Sequence, residues 1–122
     1  MSLSETKWQG VIVGTAVGTA TALITNAAST TTLATHMVLY NQHTSSVKVD
    51  IFAVDDSGGA VGTADEAGAD SNKIITLLIE SDSQAILGSS DFKVLLLDEN
   101  DTLKAYAGTA NVVNYYITGF TR

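Results

Sequence analysis

Two histidines, three acidic clusters, two glycine pairs and a group of tyrosines are the side chains of this 122-residue chain whose types and spacing bear on chemistry. His36 and His43 are seven residues apart. In an extended strand that separation points them to opposite faces, whereas zinc needs three or four converging ligands. They read as surface or structural histidines. A Ser-His-Asp triad converges in space rather than in sequence, but no G-x-S-x-G elbow occurs. Asp55-Asp56, Asp65-Glu66 with Asp70, and Asp98-Glu99-Asn100-Asp101 offer the oxygen ligands that Ca²⁺ prefers. They lack D-x-D-x-D-G spacing and read as solvated loop charge. Neither Gly58-Gly59 nor the Gly14/Gly18 pair precedes the Lys-Ser/Thr of a phosphate loop, so turn chemistry explains both. The expectation is a non-enzyme with no metal and no cofactor.

The aromatics remain. Tyrosine is favoured where one end of a side chain must be apolar and the other wet, as at interfaces. With Tyr115 in the core, Tyr106 and Tyr116 fall on the opposite face, where they either meet a partner or pack at the edge of the core. Together with Trp8 and the loop acids Asp55, Asp56, Asp65, Glu66 and Asp70 they form the candidate interaction surface.

Composition narrows the class of partner. Thirteen acidic against six basic residues leave a net charge of −7, which repels a phosphate backbone and argues against nucleic acid. No cysteine is present, which removes disulfides, thiolate zinc sites and cysteine nucleophiles. The polar start MSLSETKWQG carries no apolar signal region, and the most apolar stretch, 10–24, is too short to span a bilayer. No membrane association is expected.

The elements that must position these groups are strands. The stretch 101–120, DTLKAYAGTANVVNYYITGF, alternates in two runs about a small-residue break and reads as a β-hairpin. Residues 1–8 read as a loose arm anchored by Trp8, with a single domain over 9–122. A short run at 9–15 places Val11 and Val13 on one face, and 19–25 sets Ala20, Ala22 and Ile24 against Thr21, Leu23 and Thr25. In 33–41, Leu33, Thr35, Met37 and Leu39 oppose His36, Val38 and Tyr40; apolar residues on both faces suggest a central strand. In 47–55, Val47, Val49, Ile51 and Ala53 go inward and Lys48 and Asp50 outward, while Phe52 and Val54 suggest a covered far end. The acidic, Gly-rich stretch 55–72 is a surface loop and the first candidate for a contact or a flexible region. Runs at 73–80, 83–87 and 91–97 complete the set, the last with Phe92, Val94 and Leu96 on one side. Eight or nine short strands at this spacing predict an all-β, antiparallel β-sandwich, either a jelly roll or an immunoglobulin-like Greek key.

The run Met37-Val38-Leu39-Tyr40-Asn41, a polar turn and Val47-Lys48-Val49-Asp50-Ile51 form one half of a pattern. The other half is Asn100-Asp101-Thr102-Leu103-Lys104-Ala105, continuing through Ala110-Asn111-Val112 to Ile117-Thr118-Gly119-Phe120. Over 33–120 this resembles the small β-sandwich virion proteins of tailed bacteriophages, of the head-decoration or tail-associated kind that cyanophages carry. The resemblance implies a non-enzymatic structural protein on the surface of a phage particle. It would be a homo-oligomer, with a trimer favoured, attached to a major capsid or tail protein. A carbohydrate- or host-surface-binding sandwich is the alternative. The chain departs from the family in lacking the proline turn ahead of its middle strands and in its longer acidic loop.

Overall fold

The computed structural model describes residues 3–27, 29–54, 73–88, 95–98 and 101–122. Stretches 55–72, 89–94 and 99–100 lie outside the described residues, and with them part of the run expected at 91–97. The described residues form nine strands: β1 Ser4–Ile12, β2 Thr21–Thr25, β3 Thr32–Asn41, β4 Val47–Val54, β5 Lys73–Ile79, β6 Ser83–Leu87, β7 Leu95–Leu97, β8 Thr102–Ala107 and β9 Val113–Thr121. All pairings are antiparallel, and the strands make two sheets. One is ordered β1-β9-β3-β6 with β7 also on β3; the other is β2-β8-β4-β5. The protein is an all-β sandwich whose sheets stay open at their edges.

The pairing is nested. β1 pairs β9, β2 pairs β8, β3 pairs β6, and β4 pairs β5, so strands furthest apart in sequence meet first and the nearest meet last. One long antiparallel ribbon folded over itself has this order, and it is the jelly-roll arrangement, two Greek keys sharing one core. β6 and β7 follow one another along β3, opposite Met37–Asn41 and Thr32–Ala34 respectively. They act as one interrupted strand.

Residues 101–120 do not form a hairpin. β8 and β9 lie in different sheets, and the connection 108–112 arches between them. Leu103, Ala105 and Ala107 enter the core from one sheet, and Val113 and Ile117 from the other. The arch uses its backbone groups on neighbouring strands: Gly108 N–H donates to Lys48 O (2.9 Å), Asn111 N–H to Ile12 O (3.0 Å), and Gln42 N–H to Val112 O (2.9 Å). Asn111 supplies the left-handed φ of 63°. Alternation reports which face a residue occupies, not which strand lies beside it.

Four other expectations change for local reasons. Residues 4–8 are not an arm, because as the start of the polar edge strand β1 they pair with the last five residues of β9, and Trp8 sits across from Ile117, packed on the core. In β1 it is Ile12 that is buried, while Val13 beyond the strand is exposed. In β2 a register shift between Ala22 and Ile24 turns both Leu23 and Ile24 inward. A shift between Ala34 and His36 likewise reverses the parity of β3, so Ala34 faces the core where Leu33 and Thr35 were expected to. Gly119 sits beside that irregularity: a Cβ there would fall 2.1 Å from the Leu33 carbonyl oxygen.

Two buried asparagines tie the sheets together at opposite ends. At the end of β3, Asn41 Nδ2 donates to Ser45 O (3.0 Å) and to Ile79 O (2.9 Å) and Glu80 O (3.2 Å) at the end of β5, while its Oδ1 accepts His43 N–H at 2.9 Å. Just beyond β2, Asn26 Nδ2 donates to Thr30 O (2.8 Å), Leu97 O (2.8 Å) and Asp98 O (2.7 Å), and its Oδ1 accepts the Thr32 hydroxyl at 2.5 Å. One bond of each amide, to Ile79 O and to Leu97 O, is buried and satisfies a strand-end carbonyl that would otherwise lack a donor away from water. Asn41→Ala is expected to lower the unfolding free energy by about 2–3 kcal/mol, since two or more carbonyls lose their donor. Exposed Gln42→Ala should change it by no more than about 0.5 kcal/mol. Guanidinium unfolding of both variants checks the contrast, and equal effects would contradict the clamp.

Candidate binding surfaces

Each sheet presents an outer face, and the two faces differ in chemistry. On the four-stranded sheet, β4 turns Lys48, Asp50, Phe52 and Val54 outward, opposite to the core-facing Val47, Val49 and Ile51. Asp50, Phe52 and Val54 are nevertheless buried. Asp50 was expected as a surface charge; its neighbours across the strands close over it. Cross-strand register sets Asp50 between Thr76 of β5 and Tyr106 of β8. The Tyr106 hydroxyl donates to Asp50 Oδ2 at 2.6 Å and the Thr76 hydroxyl to Oδ1 at 2.7 Å. The ammonium groups of Lys73 and Lys48 stand 3.5 and 3.8 Å from Oδ2. The Tyr106 ring stacks on Phe52, with centroids 5.9 Å apart.

The electrostatics of Asp50 are a contest. Burial, the largest single effect, pushes its pKa up. The hydrogen bonds from Tyr106 and Thr76, aided by Lys48 and Lys73, together outweigh it and hold the carboxyl below its ordinary value. Both oxygens are occupied and the group stays ionised near neutrality, the opposite of what a general base poised near pH 7 requires. Asp50 organises the outer face of its sheet.

The five-stranded sheet carries its outer residues in cross-strand rows. Gln9, Tyr116, Val38 and Ile86 form one row; Val11, Asn114, Tyr40 and Gln84 form the next. Tyr116 is 41% exposed and Ile86 56%. A shallow depression of about 540 Å³ lies along these rows, bounded by Gln9, Val38, Tyr40, Asn114 and Tyr116. A second, of about 450 Å³, lies on the other side of Tyr116, between Glu5, Lys7, Thr35 and Phe120. At the rim the Tyr40 hydroxyl bonds the Asp82 carboxylate, which raises the tyrosine pKa above its ordinary value.

These positions divide the aromatic set read from sequence. Tyr115 packs against the core, its ring lying across Gly10 of β1, where a Cβ would come within 2.9 Å of the tyrosine oxygen. Trp8 also packs inward. Tyr106 and Tyr116 occupy outer faces of different sheets, so they do not share one surface. Asp55, Asp56, Asp65, Glu66 and Asp70 lie outside the described residues. His36 is exposed and His43 half-buried, and among the described residues no group of three or more His, Asp or Glu side chains is placed to hold a metal ion. Among the described residues, no helix is long and apolar enough to cross a membrane.

No protein-family model and no curated protein matches the chain. Among solved structures, a chain of "Structure of infectious bursal disease virus Gt strain" overlaps it at a TM-score of 0.29 and 10% identity, over 98% of this chain and 32% of that one. The protein thus spans about a third of that viral chain's length. The likeness is too slight to carry a functional argument.

The pH dependence of stability follows from Asp50. A carboxyl depressed in the folded state stabilises the fold fully above the ordinary unfolded carboxylate pKa, and this is lost as pH falls through the folded value. Asp50→Asn is expected to cost about 1–3 kcal/mol at pH 7, because the hydrogen bonds weaken while the partly solvated lysines keep water. It should also flatten the acid side of the stability profile. Urea melts between pH 2 and 7 test this, and parallel wild-type and variant profiles would contradict it.

Proposed function

We propose that the protein is a non-enzymatic structural component of a phage particle that self-associates and attaches to the capsid or tail surface. The observation carrying this reading is the pairing of a jelly-roll core with outer faces that leave large apolar side chains in water. Leu78 is 71% exposed, Ile86 56%, Leu96 53% and Tyr116 41%, spread over both sheets. On the five-stranded sheet Tyr116 and Ile86 lie in one cross-strand row with Val38, and contiguous exposed apolar surface marks contact sites. Viral capsid domains are among the proteins that use the jelly roll, which supports the reading by fold-level analogy. Many copies held by modest contacts attach firmly through avidity, without one tight pocket.

A second reading has its own observation. The depression beside Tyr116 joins three tyrosines with the amides of Gln9 and Asn114, a neutral combination suited to the face and hydroxyls of a saccharide. Lectin domains also use this fold.

Light scattering coupled to size exclusion tests the first reading: the mass should rise above 12.7 kDa as concentration increases, and a strict monomer at high concentration would contradict it. A glycan array tests the second. Binding abolished by Tyr116→Ala would favour the saccharide, and an array without a hit would remove it.

A further inference from the structure

Among the described residues four edges end the two sheets, and they are not equally protected against pairing. β1 carries Glu5 and Lys7 on its outer side, β2 is five residues long with a register shift, and β6 and β7 are an interrupted strand. Charges, shortness and irregularity all discourage another strand from adding to an edge. β5 is different. Its sequence KIITLLI has one charge at its first residue and no acid or proline. A register shift opposite Ile51/Phe52 affects only its start, leaving Ile75–Ile79 regular against β4. Among the described residues, no strand pairs with its far edge. Ile74 and Leu78, on its outer side, are 42% and 71% exposed.

From this geometry we infer that β5 is a self-pairing edge: two copies of the chain join their four-stranded sheets through antiparallel β5 strands related by a two-fold axis. The inference rests on the self-association part of the proposed function and names its contact. The occupant follows from the strand's own order. An antiparallel pairing centred on Thr76 sets Ile74 across from Leu78 of the second copy, and symmetry repeats that pair. Thr76 then faces Thr76, and Ile75 faces Leu77 on the core side. Apolar and Thr–Thr cross-strand pairs are favourable combinations. The same register brings the Lys73 end of one strand beside the exposed Glu80 end of the other, so the charges are complementary. Elsewhere two copies of a chain of net charge −7 repel one another, and an acid-free strand is where approach costs least. The main-chain groups of the edge supply the hydrogen bonds, as in strand addition generally. The contact is isologous and closes at two copies, in place of the three implied by the family resemblance.

Sedimentation equilibrium of the full chain tests the contact. Wild type should approach twice the 12.7 kDa protomer mass. Leu78→Lys and Ile74→Lys, both at exposed positions, should weaken the dimer by at least about tenfold while keeping the wild-type circular dichroism spectrum. Ile86→Lys, on the other sheet, should leave it intact. An oligomer that survives both β5 variants, or that settles at three copies, would overturn the edge contact while self-association stands. Dissociation by Ile86→Lys alone would move the interface to the five-stranded sheet and likewise overturn it. A wild-type monomer at every concentration would overturn both the contact and the self-association reading.

Discussion

The two sheets are held in one relation by hydrogen bonds that cross the sandwich at opposite ends. Apolar burial is non-directional and does not by itself pin one sheet to one point of the other. A buried amide does, since a shifted sheet leaves a buried carbonyl at each clamp, Ile79 O or Leu97 O, without a donor at a cost of about 1–3 kcal/mol. Asn41 ties the end of β3 to the end of β5, and Asn26 ties the exit of β2 to the end of β7 and, through Thr32, to the start of β3. With both ends fixed, the intervening Met37, Leu39, Val49, Ile51, Leu103 and Ile117 meet in a single core. The register of that core then decides which residues face water.

That chain of dependence connects the interior to the surfaces. Fixing β4 between β5 and β8 places Asp50 against Thr76 and Tyr106, and the carboxylate in turn holds the stacked Tyr106–Phe52 pair. Fixing β3 between β9 and β6 lines up Tyr116, Val38 and Ile86 on the other side. One outer face is therefore organised by an ion-and-hydroxyl network, the other by aromatic and amide side chains. The functional reading draws on the exposed residues of both.

Much of this was legible in the sequence, and the gaps have physical causes. Period-2 alternation in 33–41 and 47–54 identifies strands because successive side chains must take opposite faces, and 73–80 is read as a strand from its apolar run. It fails at 34–36 and 22–24, where one extra residue reverses the parity and nothing in residue type announces the shift. The strands 102–107 and 113–121 were readable, but their partners were not: a turn rich in Gly and Asn serves an arch between sheets as well as a hairpin within one. Asp50 was read as a surface charge because its alternation with Val49 and Ile51 is correct. The groups that hold it inward come from other strands, Thr76 of β5 and Tyr106 of β8, the latter 56 residues away. Asn26 reads as a turn residue and Asn41 as the end of a strand, and only the fold shows what their amides reach.

Solution NMR resolves the central claim, that a rigidly clamped sandwich acts through its outer surface. In amide spectra recorded over rising protein concentration, resonances of Lys73–Ile79 should shift progressively, while the Asn26 and Asn41 side-chain amides keep their positions. Spectra that do not change with concentration, or changes centred on the two asparagine clamps, would contradict the account.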